Sequence, residues 1–311
     1  MRNRPTLEEL VVVQDKFRLP LPIYVEKDWF VVKALAAIAG VDAGPFQLVF
    51  QGGTALSRAH RLIGRMSEDV DIKIVSAAEQ PRAAYRKLRE DVTTALLEAG
   101  FVFDPKNEDH RRVMYESEYV LFQLPYEPVA GTEEGGLRPG IQIEISAWPM
   151  RRAPETKPVS SFVAEAFGDR PELEAFLCAA PVETAAEKFV ALTRRAGAEL
   201  AGLRNGRDPT LVRHIYDLHL IARHVDQEDA AALVIDLLKD EAALRGDRYP
   251  AYKADPLAES LRTVAGIASD AQFASEYAAF TRRMVYGEQP SFEDAIASLR
   301  LFAERVRRSS A

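Results

Sequence analysis

One cysteine in 311 residues leaves no intrachain disulfide available, so the fold must rest on buried apolar surface. That scarcity suits a reducing cytoplasm. Cys178 lies among Phe176, Leu177 and Ala179 and reads as a core filler rather than a nucleophile. Long apolar runs are missing too. None approaches about 18 residues, so no membrane span is expected. The opening MRNRPTLEELVVV lacks the apolar stretch of a secretory signal. Five histidines form no HExxH and no Cys/His cluster, which argues against a structural zinc. No repeat or low-complexity tract occurs. Net positive charge is also lacking. At −7 the chain is a poor candidate for nucleic-acid binding over its whole surface. The charge is uneven, however. Residues 188–213 hold Lys188, Arg194, Arg195, Arg204, Arg207 and Arg213 against only Glu199 and Asp208, a basic segment compatible with a phosphate-bearing partner.

The richest stretch is 48–75, LVFQGGTALSRAHRLIGRMSEDVDIKIV. It predicts strand, glycine turn, helix, loop and strand. Leu48, Val49 and Phe50 are β-prone. Gly52-Gly53 break the strand, and Thr54 is placed to cap a helix over about 55–63. A glycine turn opening a helix offers backbone N–H groups to an anion. On the next strand Asp69, Asp71 and Lys73 share one face, and Val70, Ile72 and Ile74 share the other. The two carboxylates are then about 6–7 Å apart along a rigid strand, within reach of one or two Mg²⁺ ions. A Gly-Gly turn alone is usually only a turn, and an Asp-x-Asp pair alone is usually a solvated strand face. Together, about 15 residues apart in this context, they are far more specific.

Elsewhere the pattern predicts helices over 6–16 and 24–39, the second opening on Glu26-Lys27-Asp28, which reads as a solvated first turn. A helix over 81–99 follows, then strands over 101–103 and 112–126 and a loop over 129–140. In 141–147, Ile141, Ile143 and Ile145 alternate with Gln142, Glu144 and Ser146, so Glu144 stands on a polar strand face. Alternation alone makes it a surface residue. Helices are predicted over 171–177, 183–200, 211–225, 227–243, 257–268, 271–285 and 292–307. An α/β front half and an all-helical back half imply two lobes, 1–155 and 156–311. Lys188 borders the buried stripe of its helix, and Asp217 sits on a helix apolar around most of its circumference, so it needs a partner; Arg213 is one turn away.

GGTAL followed by RMSEDVDIKI resembles the AbiEii/AbiGii nucleotidyltransferase toxins, the MenT-like group within the DNA polymerase beta-like nucleotidyltransferase superfamily. The resemblance runs from about residue 26 to PSFEDAI near the C-terminus. It implies an α/β (α+β) mixed sheet of the polymerase beta-like kind followed by a helical lobe. It also implies transfer of NMP from NTP to RNA, with the tRNA 3′ end as acceptor, and an antitoxin partner in the cytoplasm; neither DNA nor a membrane enters. Gly52, Gly53 and Thr54 would hold the triphosphate. Asp69, Asp71 and Glu144 would hold two Mg²⁺ ions, with Mn²⁺ as the alternative. Arg65 and Lys188 would contact phosphates, and Asp217 would orient Lys188 or touch the nucleotide. Ser67 corresponds to a serine that some relatives' antitoxins phosphorylate. His214 stands where the family often has an acid, and Arg58 where lysine is common. A small-molecule nucleotidyltransferase of the aminoglycoside type and a non-catalytic nucleotide-binding module are the alternatives.

Overall fold

The computed structural model describes residues 1–115, 118–131, 137–245 and 248–310. They form two compact units, Met1–Ala179 and Ala180–Ala311. The first opens with helix α1 (Leu7–Phe17), whose Thr6 and Glu9 cap it reciprocally. Helix α2 (Pro22–Ala39) follows and is apolar on nearly every side, which is the mark of a helix enclosed by its neighbours. It packs on α1 and on strands of the sheet. Strand β1 (Gln47–Gln51), helix α3 (Gly52–Arg58) and strand β2 (Asp69–Val75) come next, then helix α4 (Arg82–Glu98) and strands β3 (Arg111–Met114), β4 (Tyr119–Leu124), β5 (Ile141–Ala147) and β6 (Glu155–Val159). Helix α5 (Phe162–Phe167) and strand β7 (Leu173–Cys178) complete the unit.

The seven strands form one mixed sheet in the order β3-β4-β5-β2-β1-β7-β6. β2 runs parallel to β5 and β1 parallel to β7; the other pairs are antiparallel. Its apolar face is continuous. Phe50, Ile72, Ile145 and Val120 are one cross-strand row, and Val70, Ile143 and Phe122 are the next. All seven are buried. Each such side chain contributes about 1.5–3 kcal/mol through burial, so a slip of one residue in any of these strands is strongly disfavoured.

Several sequence expectations give way here. The helix expected over 171–177 is absent, and Leu173–Cys178 form strand β7: pairing with β1 and β6 overrides the helical leaning of Leu-Glu-Ala. The sheet therefore continues past 155, and the units meet at Ala179/Ala180 instead. The single strand expected over 112–126 is two, β3 and β4, with 116–117 outside the described residues. Phe101 and Phe103 stay outside the sheet and bury their rings from a loop. The middle of the loop expected over 129–140, residues 132–136, also lies outside the described residues. Cys178 is buried, and burial pushes its thiol up to about 12, in keeping with a core filler.

The second unit is helical: α6 (Pro181–Leu200), a 3₁₀ turn (Pro209–Leu211), α7 (Val212–Ile221), α8 (Gln227–Arg245), α9 (Pro250–Ala254), α10 (Pro256–Ser269), α11 (Ala271–Met284) and α12 (Phe292–Ser309). α6 packs on α7, α8 and α10, and α12 on α7 and α8. Phe189 and Phe302 meet edge to face at 5.3 Å in its core. Among the described residues no helix is long and apolar enough to cross a membrane.

The largest departure from expectation is Glu26-Lys27-Asp28, which is almost wholly buried. Glu26 accepts from Arg4 at 2.6 Å and from the backbone N–H groups of Val129 and Ala130, both at 3.1 Å. Lys27 pairs with Glu68 and donates to the carbonyls of Arg138 and Gly140. Asp28 accepts from Phe162 N at 2.7 Å and lies 3.6 Å from Arg58, whose guanidinium covers the Phe162 ring. Burial raises the Asp28 carboxyl from 3.8 to about 7, against the pull of Arg58. A folded value above the unfolded one gives stability that is complete below about 3.8 and lost as pH rises through about 7. Asp28→Asn fixes the neutral form. Its stability relative to wild type should therefore climb as pH rises from about 4 to about 7, by up to about 1.4 kcal/mol per pH unit, and level off above about 7. Thermal melts across that range check this; a constant difference would mean that Asp28 is ionised throughout.

Candidate active site

β2 and β5 place the acids. Their register sets Asp71 opposite Glu144 and Asp69 opposite Gln142, with Gln51 of β1 completing the first row. All lie on the sheet face opposite the apolar rows, because strand side chains alternate. Asp69, Asp71 and Glu144 are each half-buried. Lys73, two residues on, shares the face and is buried. The three predicted acids are thus on one face, in two adjacent rows.

The glycine turn abuts them. Gly52 has φ of +76°, and a Cβ on it would collide with the Asp71 carboxylate. A Cβ on Gly53 would collide with the Arg65 guanidinium and stand 2.8 Å from Ser67 Oγ. Both positions therefore need glycine, the first for conformation and space, the second for space. Arg65 is buried and donates to the Met66 carbonyl at 2.8 Å. Thr54 is not the helix cap. α3 begins at Gly52, and the Thr54 hydroxyl donates to the Asp69 carbonyl at 2.5 Å, tying the turn to the acidic strand.

Two carboxylates are engaged by residues that the sequence reading missed. Arg138 Nη1 donates to Asp69 Oδ1 at 3.1 Å and to Gln142 Oε1 at 2.8 Å. Gln142 Nε2 donates to Glu144 Oε1 at 2.7 Å. Tyr119 also hydrogen-bonds Glu144; its phenol is raised by burial first and by the Glu144 charge second. As they stand, no three His, Cys, Asp or Glu side chains among the described residues converge on one point. The donor set nevertheless fits Mg²⁺. It is all hard oxygen on one rigid face, room is left beside Asp71 by a bare glycine, and a cation, Arg138, already sits on Asp69.

In the helical unit Lys188 of α6 and Asp217 of α7 form a buried ion pair at 2.8 Å. Lys188 supplies the partner that Asp217 requires. The basic segment proves to be largely neutralised. Arg194 pairs with Glu241, Arg195 with Asp208, Arg204 with Glu199, and Arg207 with Asp270 and Glu276. An excess counted along the chain is offset by acids that the fold brings in.

The sequence profile of the nucleotidyl transferase AbiEii toxins of type IV toxin–antitoxin systems matches residues 33–298. The chain belongs to that family. It is accordingly a nucleotidyltransferase-family toxin, which brings with it an NTP substrate and an antitoxin partner. Among solved structures it is similar to MenT4, a nucleotidyltransferase toxin from Mycobacterium tuberculosis H37Rv, at 18% identity and a TM-score of 0.43 over 93% of this chain and 84% of that one. So loose a likeness carries no residue assignments. No curated protein is detectably similar.

The Lys188–Asp217 pair can be separated into structural and chemical parts. Asp217→Ala leaves a buried ammonium unpaired and should cost about 3–5 kcal/mol. The double change Lys188→Met with Asp217→Leu removes both charges and should recover most of that loss. If the pair serves the reaction, the double variant melts near wild type and transfers nothing. Full transfer by the double variant would show that the pair only holds α6 to α7.

Proposed function

We propose that this toxin transfers NMP from an NTP to the 3′ end of RNA, with tRNA as the acceptor, in a metal-dependent reaction. The observation that carries the reading is the Asp71–Glu144 register with Asp69 beside it, placed against the Gly52-Gly53 turn. Asp69, Asp71 and Glu144 would hold Mg²⁺, two ions in all, with Mn²⁺ as the substitute. When bound, such ions lower the pKa of an acceptor hydroxyl and neutralise charge on leaving pyrophosphate. The acceptor oxygen bonds to the α-phosphorus, the bond from that phosphorus to the β-phosphate bridge breaks, and the hydroxyl proton passes to solvent. The Gly52-Gly53 backbone admits the triphosphate closely because it carries no side chain. Thr54 keeps the turn in register with Asp69 through the carbonyl of that residue. Arg65 lies beside Gly53, where phosphate charge would collect. Lys188 is read as a phosphate contact, with Asp217 paired to it at 2.8 Å to orient it. The reaction would take place in the cytoplasm, apart from DNA and membranes.

A small-molecule acceptor is the second reading. It is favoured by the net charge of −7 and by the pairing of the cations of the 188–213 segment. Incubation of the protein with each labelled NTP and total RNA decides between them. Label on tRNA, lost in Asp71→Ala, is the expected result. Asp71→Ala should keep the fold and lose little stability without metal, since one of several clustered carboxylates is gone. Label on small molecules alone would establish the second reading, and unimpaired transfer by Asp71→Ala would remove the active-site assignment. A non-catalytic module would give no label in any fraction.

Control by the antitoxin is proposed at Ser67, whose Oγ lies beside Gly53. A phosphate there would add about −1.5 to −2 charge and compete with the nucleotide for Arg65 and the glycine turn. Ser67→Asp should be inactive, and Ser67→Ala should keep activity yet escape neutralisation. The intact mass of toxin co-expressed with its antitoxin should rise by one phosphate. Full neutralisation at unchanged mass would assign Ser67 to shaping the loop alone.

A further inference from the structure

Arg138 has no part in the chemistry derived above, yet its guanidinium lies on the first of the proposed metal carboxylates. Its backbone is held from both sides. The N–H donates to Glu68 Oε2 at 2.8 Å, and the carbonyl accepts from Lys27 Nζ. Lys27 and Glu68 pair with each other at 3.5 Å and are 1% and 2% exposed. Two residues on, Gly140 also accepts from Lys27 and presses on β4, where a Cβ would stand 2.6 Å from the Leu124 carbonyl. The side chain, by contrast, is 46% exposed. A fixed backbone carrying an exposed arginine can change the anion it contacts without moving the chain.

Asp69 cannot serve Arg138 and a divalent ion equally. The ion brings higher charge and repels the guanidinium across a few ångströms. Because Lys27 and Glu68 hold its backbone, Arg138 stays at the site, where the other available anions are the phosphates of the nucleotide. The planar guanidinium suits phosphate oxygens. We propose that Arg138 is a phosphate-binding residue of the transfer site, held on Asp69 until a divalent ion takes that place. The proposal rests on reading Asp69, Asp71 and Glu144 as the metal set.

The test is Arg138→Gln in the full chain, read by Mn²⁺ binding in electron paramagnetic resonance and calorimetry. With Mn²⁺ alone, the variant loses a competing cation and should bind about threefold more tightly. With saturating Mn²⁺, α,β-methylene NTP analogues should bind about tenfold more weakly, since a charged contact is gone. These opposite signs are the expected result. Shifts of the same sign, or no shift in either affinity, would overturn it, because a merely structural residue would not move the two apart. Arg138→Lys keeps the charge without the fork and should fall between the two. Asp71→Asn runs alongside. Mn²⁺ binding at wild-type strength in Asp71→Asn would remove the metal-site reading and the proposal with it. Impaired binding there, with no divergence in Arg138→Gln, removes the proposal alone.

Discussion

The parallel register between β2 and β5 is the constraint on which the candidate site depends. It sets Asp71 against Glu144 and, on the opposite face, Val70 against Ile143 and Ile72 against Ile145. The same pairing thus buries the apolar rows and assembles the acids. Because strand side chains alternate, the two outcomes are coupled: a slip of one residue that parted the carboxylates would also turn isoleucines toward water. Burial on one face therefore fixes geometry on the other, and the acidic face need not be favourable in its own right.

Charge on that face is balanced locally. Arg138 meets Asp69, Gln142 and Tyr119 meet Glu144, and the buried Lys73 lies on the same face as Asp71. Three half-buried carboxylates would otherwise repel one another. The α2 charges extend this balance outward. Glu26 receives Arg4 and the 129–130 backbone, Lys27 receives Glu68 and the 138–140 carbonyls, and Asp28 receives the start of α5 and Arg58. Three consecutive residues therefore fasten different segments to one enclosed helix. Each has more than one partner, so removing a single one weakens a buried charge's contacts without stripping it of all of them.

What could be read in the sequence follows from how local each signal is. The Gly52-Gly53 turn and the strand faces of Asp69, Asp71 and Glu144 were legible because turn chemistry and period-two alternation act over a few residues, whereas a metal role for Glu144 came only from the family resemblance. The trio Glu26-Lys27-Asp28 is buried against the expectation of a solvated turn, although a signal for its burial was there. Tyr24, Val25, Trp29 and Phe30 flank it on a helix with no free polar face, so the charges had nowhere exposed to point. Arg138 gave no such signal. It stands in a glycine-rich segment 69 residues from Asp69, and only the β2–β5 pairing brings the two together. Strand β7 was missed for a similar reason: its six residues are defined by β1 and β6, not by their own propensity.

The basic segment 188–213 shows the same limit with the opposite consequence. Counted along the chain it is an electropositive patch. In the fold, Glu241 of α8, Asp270 between α10 and α11, and Glu276 of α11 pair with Arg194 and Arg207, while Asp217 takes Lys188. Charge along one helix is therefore a poor measure of the field that a partner meets; what counts is charge after the helices have packed. An arginine already paired offers an incoming phosphate only the difference between two salt bridges, and for part-exposed pairs that difference is small. Lys188 is distinct because its pair is buried. There the low dielectric strengthens the contact that the ammonium makes with Asp217 at 2.8 Å.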